Sequence, residues 1–135
     1  RVVVASFEVP RSATLAAFRL ARASGAVTLL NPAPAQPLPA ELATLVDVLT
    51  PNQTEVCVLA GLPMEADPAD AARVLLAMGV GAVVVTLGKE GVALVRSGHA
   101  PNAVNGWTVP VTDTVGAGRG DSRRHSSTVE STSAR

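Results

Sequence analysis

Gly116-Ala117-Gly118 sets three small residues in succession. Small residues let a backbone approach a ligand closely, and successive free N–H groups can form a nest for an anion. A helix beginning there would add its dipole to the same pull. Taken alone, such a triplet is more often an ordinary turn. Asp113-Thr114, just before it, offers a carboxylate and a hydroxyl that can hold a cation or cap a helix. Asn52-Gln53-Thr54-Glu55 places an amide and a carboxylate three residues apart, a spacing that is also a capping box. Thr86-Leu87-Gly88-Lys89-Glu90-Gly91 supplies a hydroxyl and two glycines after an apolar run, without the spacing of a Walker A loop. His99 and His125 are isolated residues in loop-like contexts, poorly placed for catalysis or metal binding. Cys57, the single cysteine, reads as a small buried side chain rather than a reactive thiol. Arg119-Gly120-Asp121 matches an adhesion tripeptide, a match that three residues reach often by chance.

The composition bounds what such residues can serve. The 135 residues are 47% hydrophobic, enough for one modest domain with a core. Net charge is zero, so neither nucleic acid nor an anionic membrane gains electrostatic support as a partner. Aromatics at 2% argue against base-stacking platforms. One cysteine excludes an internal disulfide and a cysteine-based zinc cluster. No apolar run approaches the roughly 18 residues of a membrane span. Arg1 running straight into a strand-like segment, with no signal or transit pattern, predicts that the natural N-terminus lies upstream.

Two unequal parts position the chemistry. Residues 1–118 are rich in Ala, Val and Leu. Residues 119–135 hold seven Ser/Thr and only Val129 and Ala134 as apolar side chains. That tail buries too little to offset its ordering entropy and is expected to be disordered. In the body, Val2-Val3-Val4 predicts a strand over Arg1–Phe7 buried on both faces. Ser12 is the expected N-cap of a helix carrying Leu15, Phe18 and Ala21 and stopped by Gly25. Val27–Leu30 is the second strand. Asn31-Pro32-Ala33-Pro34-Ala35 must be a loop, because its prolines fix φ and remove donors. A short helix over Pro39–Leu45, a third strand over Val46–Thr50 and a helix over Gln53–Ala60 closed by Gly61 follow. A helix from Asp67-Pro68 ends at Gly79. Ala82–Thr86 is the clearest strand, and a turn at Gly88–Gly91 leads into Val92–Val95. Trp107–Val111 reads as an edge-like strand. The alternation predicts an α/β layer with a largely parallel sheet. Ligands then belong at the carboxyl ends of the strands, where Glu8, Asn31, Asn52, Thr86 and the Asp113 loop all fall.

In order along the chain, NPAPA, TPNQTEV, VVVTLGKEGVALV and VTDTVGAG resemble the ribokinase branch of the carbohydrate and purine kinase family. The resemblance covers nearly all of residues 1–118. It implies an α/β three-layer ribokinase-like fold, incomplete here, with the N-terminal part and the small β lid missing. It implies ATP-dependent phosphorylation of D-ribose at its 5-hydroxyl in the cytoplasm, with ATP and ribose as small-molecule partners. Neither nucleic acid nor membrane is expected as a partner, and full-length relatives are expected to form homodimers. The cofactors it implies are Mg²⁺ and an activating K⁺. Asn52 resembles a nucleotide contact, and Glu55 resembles a residue that acts indirectly on Mg²⁺. Thr86, Leu87, Gly88, Lys89, Glu90 and Gly91 resemble the nucleotide-contacting loop. Asp113 and Val115 resemble K⁺ ligands, Gly116, Ala117 and Gly118 the anion hole, and Glu8 a ribose contact.

The family pattern continues with an aspartate base after the anion hole, followed by an apolar helix. Here Arg119 stands at that position, and Asp121 comes two residues later. The resemblance therefore implies an incomplete or inactive kinase. The alternatives are a non-catalytic nucleotide-binding fragment or a family kinase acting on another sugar or nucleoside. A role of the tail in recruiting a partner is weaker still, because the tail lacks a helical or aromatic anchor.

Overall fold

A computed structural model describes residues 1–106. The expected strand at Trp107–Val111, the Asp113–Gly118 stretch, Arg119, Asp121, His125 and the tail lie outside the described residues. Six strands form one sheet in the order β1 (Val2–Ser6), β2 (Val27–Asn31), β3 (Val48–Leu49), β4 (Ala82–Thr86), β5 (Val92–Arg96), β6 (Asn102–Val104). The first four run parallel, and β5 and β6 add antiparallel hairpins. Helices α1 (Arg11–Ala23), α2 (Ala40–Ala43), α3 (Gln53–Ala60) and α4 (Pro68–Ala77) fill the crossovers between parallel strands.

All four helices pack on the same face of the sheet. One core cluster joins Phe18 of α1, Leu42 of α2, Val56 and Leu59 of α3 and Leu75 of α4 to Leu30, Leu49, Val83 and Val85 of the strands. Crossovers of one hand that always step in the same direction across a sheet leave every helix on one side. Among the described residues the protein therefore shows two of the three layers that the resemblance implies.

Four local expectations are corrected. The strand at Val2–Ser6 is not buried on both faces: Val2 and Val4 are exposed, on a strand whose one neighbour among the described residues is β2. Helix α1 begins one residue before Ser12, with Pro10 at the cap position, whose side chain carries no acceptor for a cap. The third strand keeps ladder pairing over Val48–Leu49 alone. Strand β6 was not foreseen, since Asn102-Ala103-Val104 is too short to show alternation. The other helix ends follow their signals. Asp67 caps α4 by accepting from the Ala69 N–H at 2.8 Å, and Gly61 closes α3 in the left-handed region.

The short β3 is held at its entry by side-chain bonds. Fully buried Thr28 on β2 donates its backbone N–H to Asp47 Oδ2 at 2.8 Å, and its hydroxyl accepts the Asp47 N–H at 3.0 Å. That hydroxyl also reaches the Leu45 carbonyl. Replacing Thr28 with Val keeps the shape and the backbone bond to Asp47 but removes the hydroxyl's bonds, chiefly that to the Leu45 carbonyl, which costs about 1–3 kcal/mol. Urea unfolding of Thr28→Val should show a lower midpoint at unchanged slope. An unaltered midpoint would mean that the bonds contribute nothing net.

Candidate functional site

Two of the sequence motifs meet in space. Strand β3 leads on to Pro51-Asn52, β4 ends at Thr86, and an isolated parallel bridge joins Asn52 to Thr86. The Thr86 N–H donates to the Pro51 carbonyl at 2.9 Å. The N-terminus of α3 and the loop after β4 thus form one strip at the carboxyl ends of neighbouring strands, 34 residues apart in sequence by their bridged positions.

On that strip, Asn52 caps α3. Its Oδ1 accepts the Glu55 N–H at 2.8 Å, and the Glu55 carboxylate accepts the Asn52 N–H at 2.8 Å. This is the reciprocal capping box that the spacing allows. The structural role does not exhaust the residues. Asn52 remains exposed, and the second oxygen of the half-buried Glu55 carboxylate makes no hydrogen bond among the described residues. No group of three or more His, Cys, Asp or Glu among the described residues could hold a metal alone. The donor set fits a hard cation held chiefly by phosphate oxygens and water, with a single protein carboxylate at hand.

The loop after β4 turns through a short 3₁₀ segment, Gly88–Glu90. The Leu87 N–H donates to the Gly91 carbonyl at 2.8 Å, closing the turn. Gly91 has φ of 105°, and a Cβ there would lie 1.9 Å from the Val104 carbonyl oxygen. Only glycine fits, because the loop lies directly against the end of β6. Lys89 and Glu90 are exposed at its tip. Beside the strip, a largely apolar cavity of about 220 Å³ opens between Gln53, Asp67, Leu87 and Ala93. Neither Gln53 nor Asp67 was singled out as a site residue. Their position at two helix starts facing one cavity depends on α3 packing beside α4, which no local pattern reveals.

Glu8 is not brought to this strip. It follows β1, two strand spacings from β3 and three from β4, about 10 and 14 Å. There it lines a separate cavity of about 410 Å³ with Arg11, Thr14 and Gln36. Asp113, Val115, Gly116, Ala117, Gly118 and Arg119 lie outside the described residues. Cys57 is fully buried beneath the strip, with its Sγ 3.5 Å from the Gln53 and Ala66 carbonyls. Burial, and then the negative charges of Glu65 and Asp67, push its thiol pKa up. It is a packing residue, as its type suggested. His99 is exposed, with Nδ1 2.9 Å from the Ser97 carbonyl, within the β5–β6 turn.

The strip lies at the carboxyl ends of the parallel strands of an α/β sheet, and a family model narrows the class. The description "pfkB family carbohydrate kinase" matches residues 3–122, so the chain belongs to that family. The chain is 40% identical over 118 residues to a ribokinase of Staphylococcus aureus, covering 86% of this chain and 38% of that protein. To the Mus musculus ribokinase it is 37% identical, covering 87% and 38%. The structure of Arabidopsis thaliana ribokinase complexed with ribose and ATP superposes with a TM-score of 0.74 at 29% identity, covering 84% of this chain and 37% of that one. The chain thus spans little more than a third of these relatives. The family match also runs past Gly118 and includes Asp121.

Two outcomes follow from the geometry. Asn52→Ala removes the cap and should cost about 1 kcal/mol of stability, whereas Asn52→Asp keeps the acceptor and should cost little. Thermal melts of both variants would separate them, and equal losses would mean that the cap is not what Asn52 contributes. For Cys57, the unfolded thiol ionises above pH ~8.5 while the buried one resists. The unfolded state then binds fewer protons, so stability falls as pH rises through that range. Denaturation at pH 7 and pH 10 should show a larger loss for the wild type than for Cys57→Ala. An equal loss in the two proteins would show that the thiol does not titrate differently on unfolding.

Proposed function

We propose that this chain carries the nucleotide side of an ATP-dependent sugar kinase of ribokinase type, whose complete domain phosphorylates the 5-hydroxyl of D-ribose. The observation that carries this reading is the Asn52–Thr86 bridge, which joins the two family motifs into one strip at the carboxyl ends of β3 and β4. Asn52 and the loop Thr86, Leu87, Gly88, Lys89, Glu90, Gly91 would contact the nucleotide. The apolar slot beside Leu87 suits a flat base. Glu55 would act through water on the Mg²⁺ that neutralises the phosphates, and Glu8 would meet the sugar from its own cavity. Gly116, Ala117 and Gly118 would supply the backbone donors for the charge that develops in transfer. Asp113 and Val115 would hold K⁺. The full-length enzyme would work in the cytoplasm, as a homodimer; no described helix is long and apolar enough to cross a membrane.

Arg119 favours a second reading, a nucleotide-binding chain without catalysis. A guanidinium stays protonated at physiological pH and cannot take the sugar's proton. A positioned base is worth on the order of 10²–10⁴ in rate. A deoxy sugar as acceptor is the variant within this reading, because the deoxyribokinase of Salmonella typhi is 34% identical over 123 residues.

Calorimetry of the purified chain with ATP and with ribose tests the reading. ATP should bind weakly, at roughly −4 to −6 kcal/mol, and ribose more weakly still. Gly91→Ala should weaken ATP binding by distorting the loop. Ribose-dependent ADP formation should be absent with Mg²⁺ and K⁺ present. Tight ribose binding without nucleotide, or turnover above about a hundredth of a full-length relative's rate, would overturn the account.

A further inference from the structure

At the end of the sheet away from the strip, a cavity of about 380 Å³ opens between α4 and the turn that joins β5 to β6. Strand β5 runs antiparallel to β4, so Arg96, at the end of β5, pairs with Ala82, at the start of β4. Four residue steps, about 13 Å, separate Ala82 from Thr86. The lining of the cavity is divided. Buried Val95 and half-buried Leu76 give it an apolar floor, while Arg73 of α4 and Arg96 of β5 stand exposed at its rim. Two guanidiniums from a helix and a strand thus reach one cavity. Among the described residues, no Asp or Glu lines it. Arg73 pairs with Asp70 on its own helix, which occupies part of its fork of donors, and Arg96 forms no ion pair among the described residues. The turn itself is closed by the His99 N–H, which donates to the Arg96 carbonyl at 3.3 Å, with Gly98 at a φ of 72°. Its Ser97 carbonyl, an acceptor that would repel an anion, already has His99 Nδ1 2.9 Å away. The Gly98 N–H has no backbone partner among the described residues.

We propose that this cavity is a binding site for a phosphomonoester with a short carbon body. Two guanidiniums on separate elements can hold a tetrahedral phosphate from two sides, each through paired N–H bonds. A carboxylate is flat, carries a single charge and offers two oxygens to the same donors. The apolar floor covers the carbon body, which inorganic phosphate lacks. The volume is that of a small-molecule site. The site shares no residue with Asn52–Glu55 or Thr86–Gly91, so it stands or falls apart from the nucleotide reading.

The test titrates the full, isotope-labelled 135-residue chain with butyl phosphate and, separately, with inorganic phosphate at fixed ionic strength. Amide resonances of Ser97, Gly98 and His99 should shift and saturate. Butyl phosphate should bind about tenfold tighter than inorganic phosphate, because its chain lies on the floor. Arg73→Gln and Arg96→Gln should each weaken butyl phosphate by about fivefold or more. Both arginines are exposed, so neither change touches the core. Arg19→Gln, which removes an exposed guanidinium from α1, should change nothing. Three results overturn the proposal: shifts confined to Asn52–Glu55 and Thr86–Gly91, equal affinity for the two probes, or binding that neither Arg73→Gln nor Arg96→Gln weakens. Calorimetry with ATP is independent of all three. Butyl phosphate binding at the turn without ATP binding would sink the nucleotide reading and leave this site standing.

Discussion

The two-residue strand β3 depends on bonds at its ends, and the site depends on β3. A ladder of Val48 and Leu49 alone gives few main-chain bonds to each neighbour. Below it, Thr28 and Asp47 exchange backbone and side-chain bonds, fixing β2 against the start of β3. On the other side, a Cβ at Gly81 would come within 2.7 Å of the Asp47 carbonyl, so only glycine lets β4 approach. Above it, Thr86 binds Pro51. These contacts set the register that puts Asn52 beside Thr86. Slip of one residue would turn every side chain of β3 to the opposite face and separate the two motifs.

The order of elements was legible because hydrophobic runs and helix signals agree along most of the chain. Val83-Val84-Val85, the Asp67-Pro68 start and the Gly61 stop each act locally, and the structure follows them. The strand at Val2–Val4 misled because a continuous β-branched run describes side chains, not neighbours. Whether both faces are covered depends on which layers pack on them. Strand β6 was missed for the converse reason: three residues acquire strand geometry from β5, not from their own pattern.

The candidate site was legible as pieces and illegible as a place. The spacing of Asn52 and Glu55 announces a capping box, and the structure contains that box. Nothing local in Thr86–Gly91 says that its neighbour is Pro51. Gln53 and Asp67 escaped notice because each looks like an ordinary helix-start residue. Only the packing of α3 against α4 turns them toward one cavity. Glu8 is a matter of scale: following a strand places a residue at the carboxyl end of the sheet, and two strand spacings, about 10 Å, still separate the end of β1 from Asn52 after β3.

That separation bears on the proposed chemistry. A phosphoryl donor held at β3 and β4 and an acceptor held at β1 must meet above β2, where Asn31 ends its strand and the proline-rich loop begins. The described side of this gap is open, so charges across it are screened by water and each contact gains little. Transfer of a phosphoryl group asks chiefly for positioning and for donors aimed at developing charge in a dry site. A sheet with all its helices on one side can position two ligands along its rim but cannot enclose them. On this reading, the third layer that the resemblance implies would stiffen the sheet, and closing the gap above β2 would need further polypeptide. The two requirements differ in place and in physics. Burial of Val84, on the face opposite the helices, would stabilise the domain without bringing donor and acceptor together.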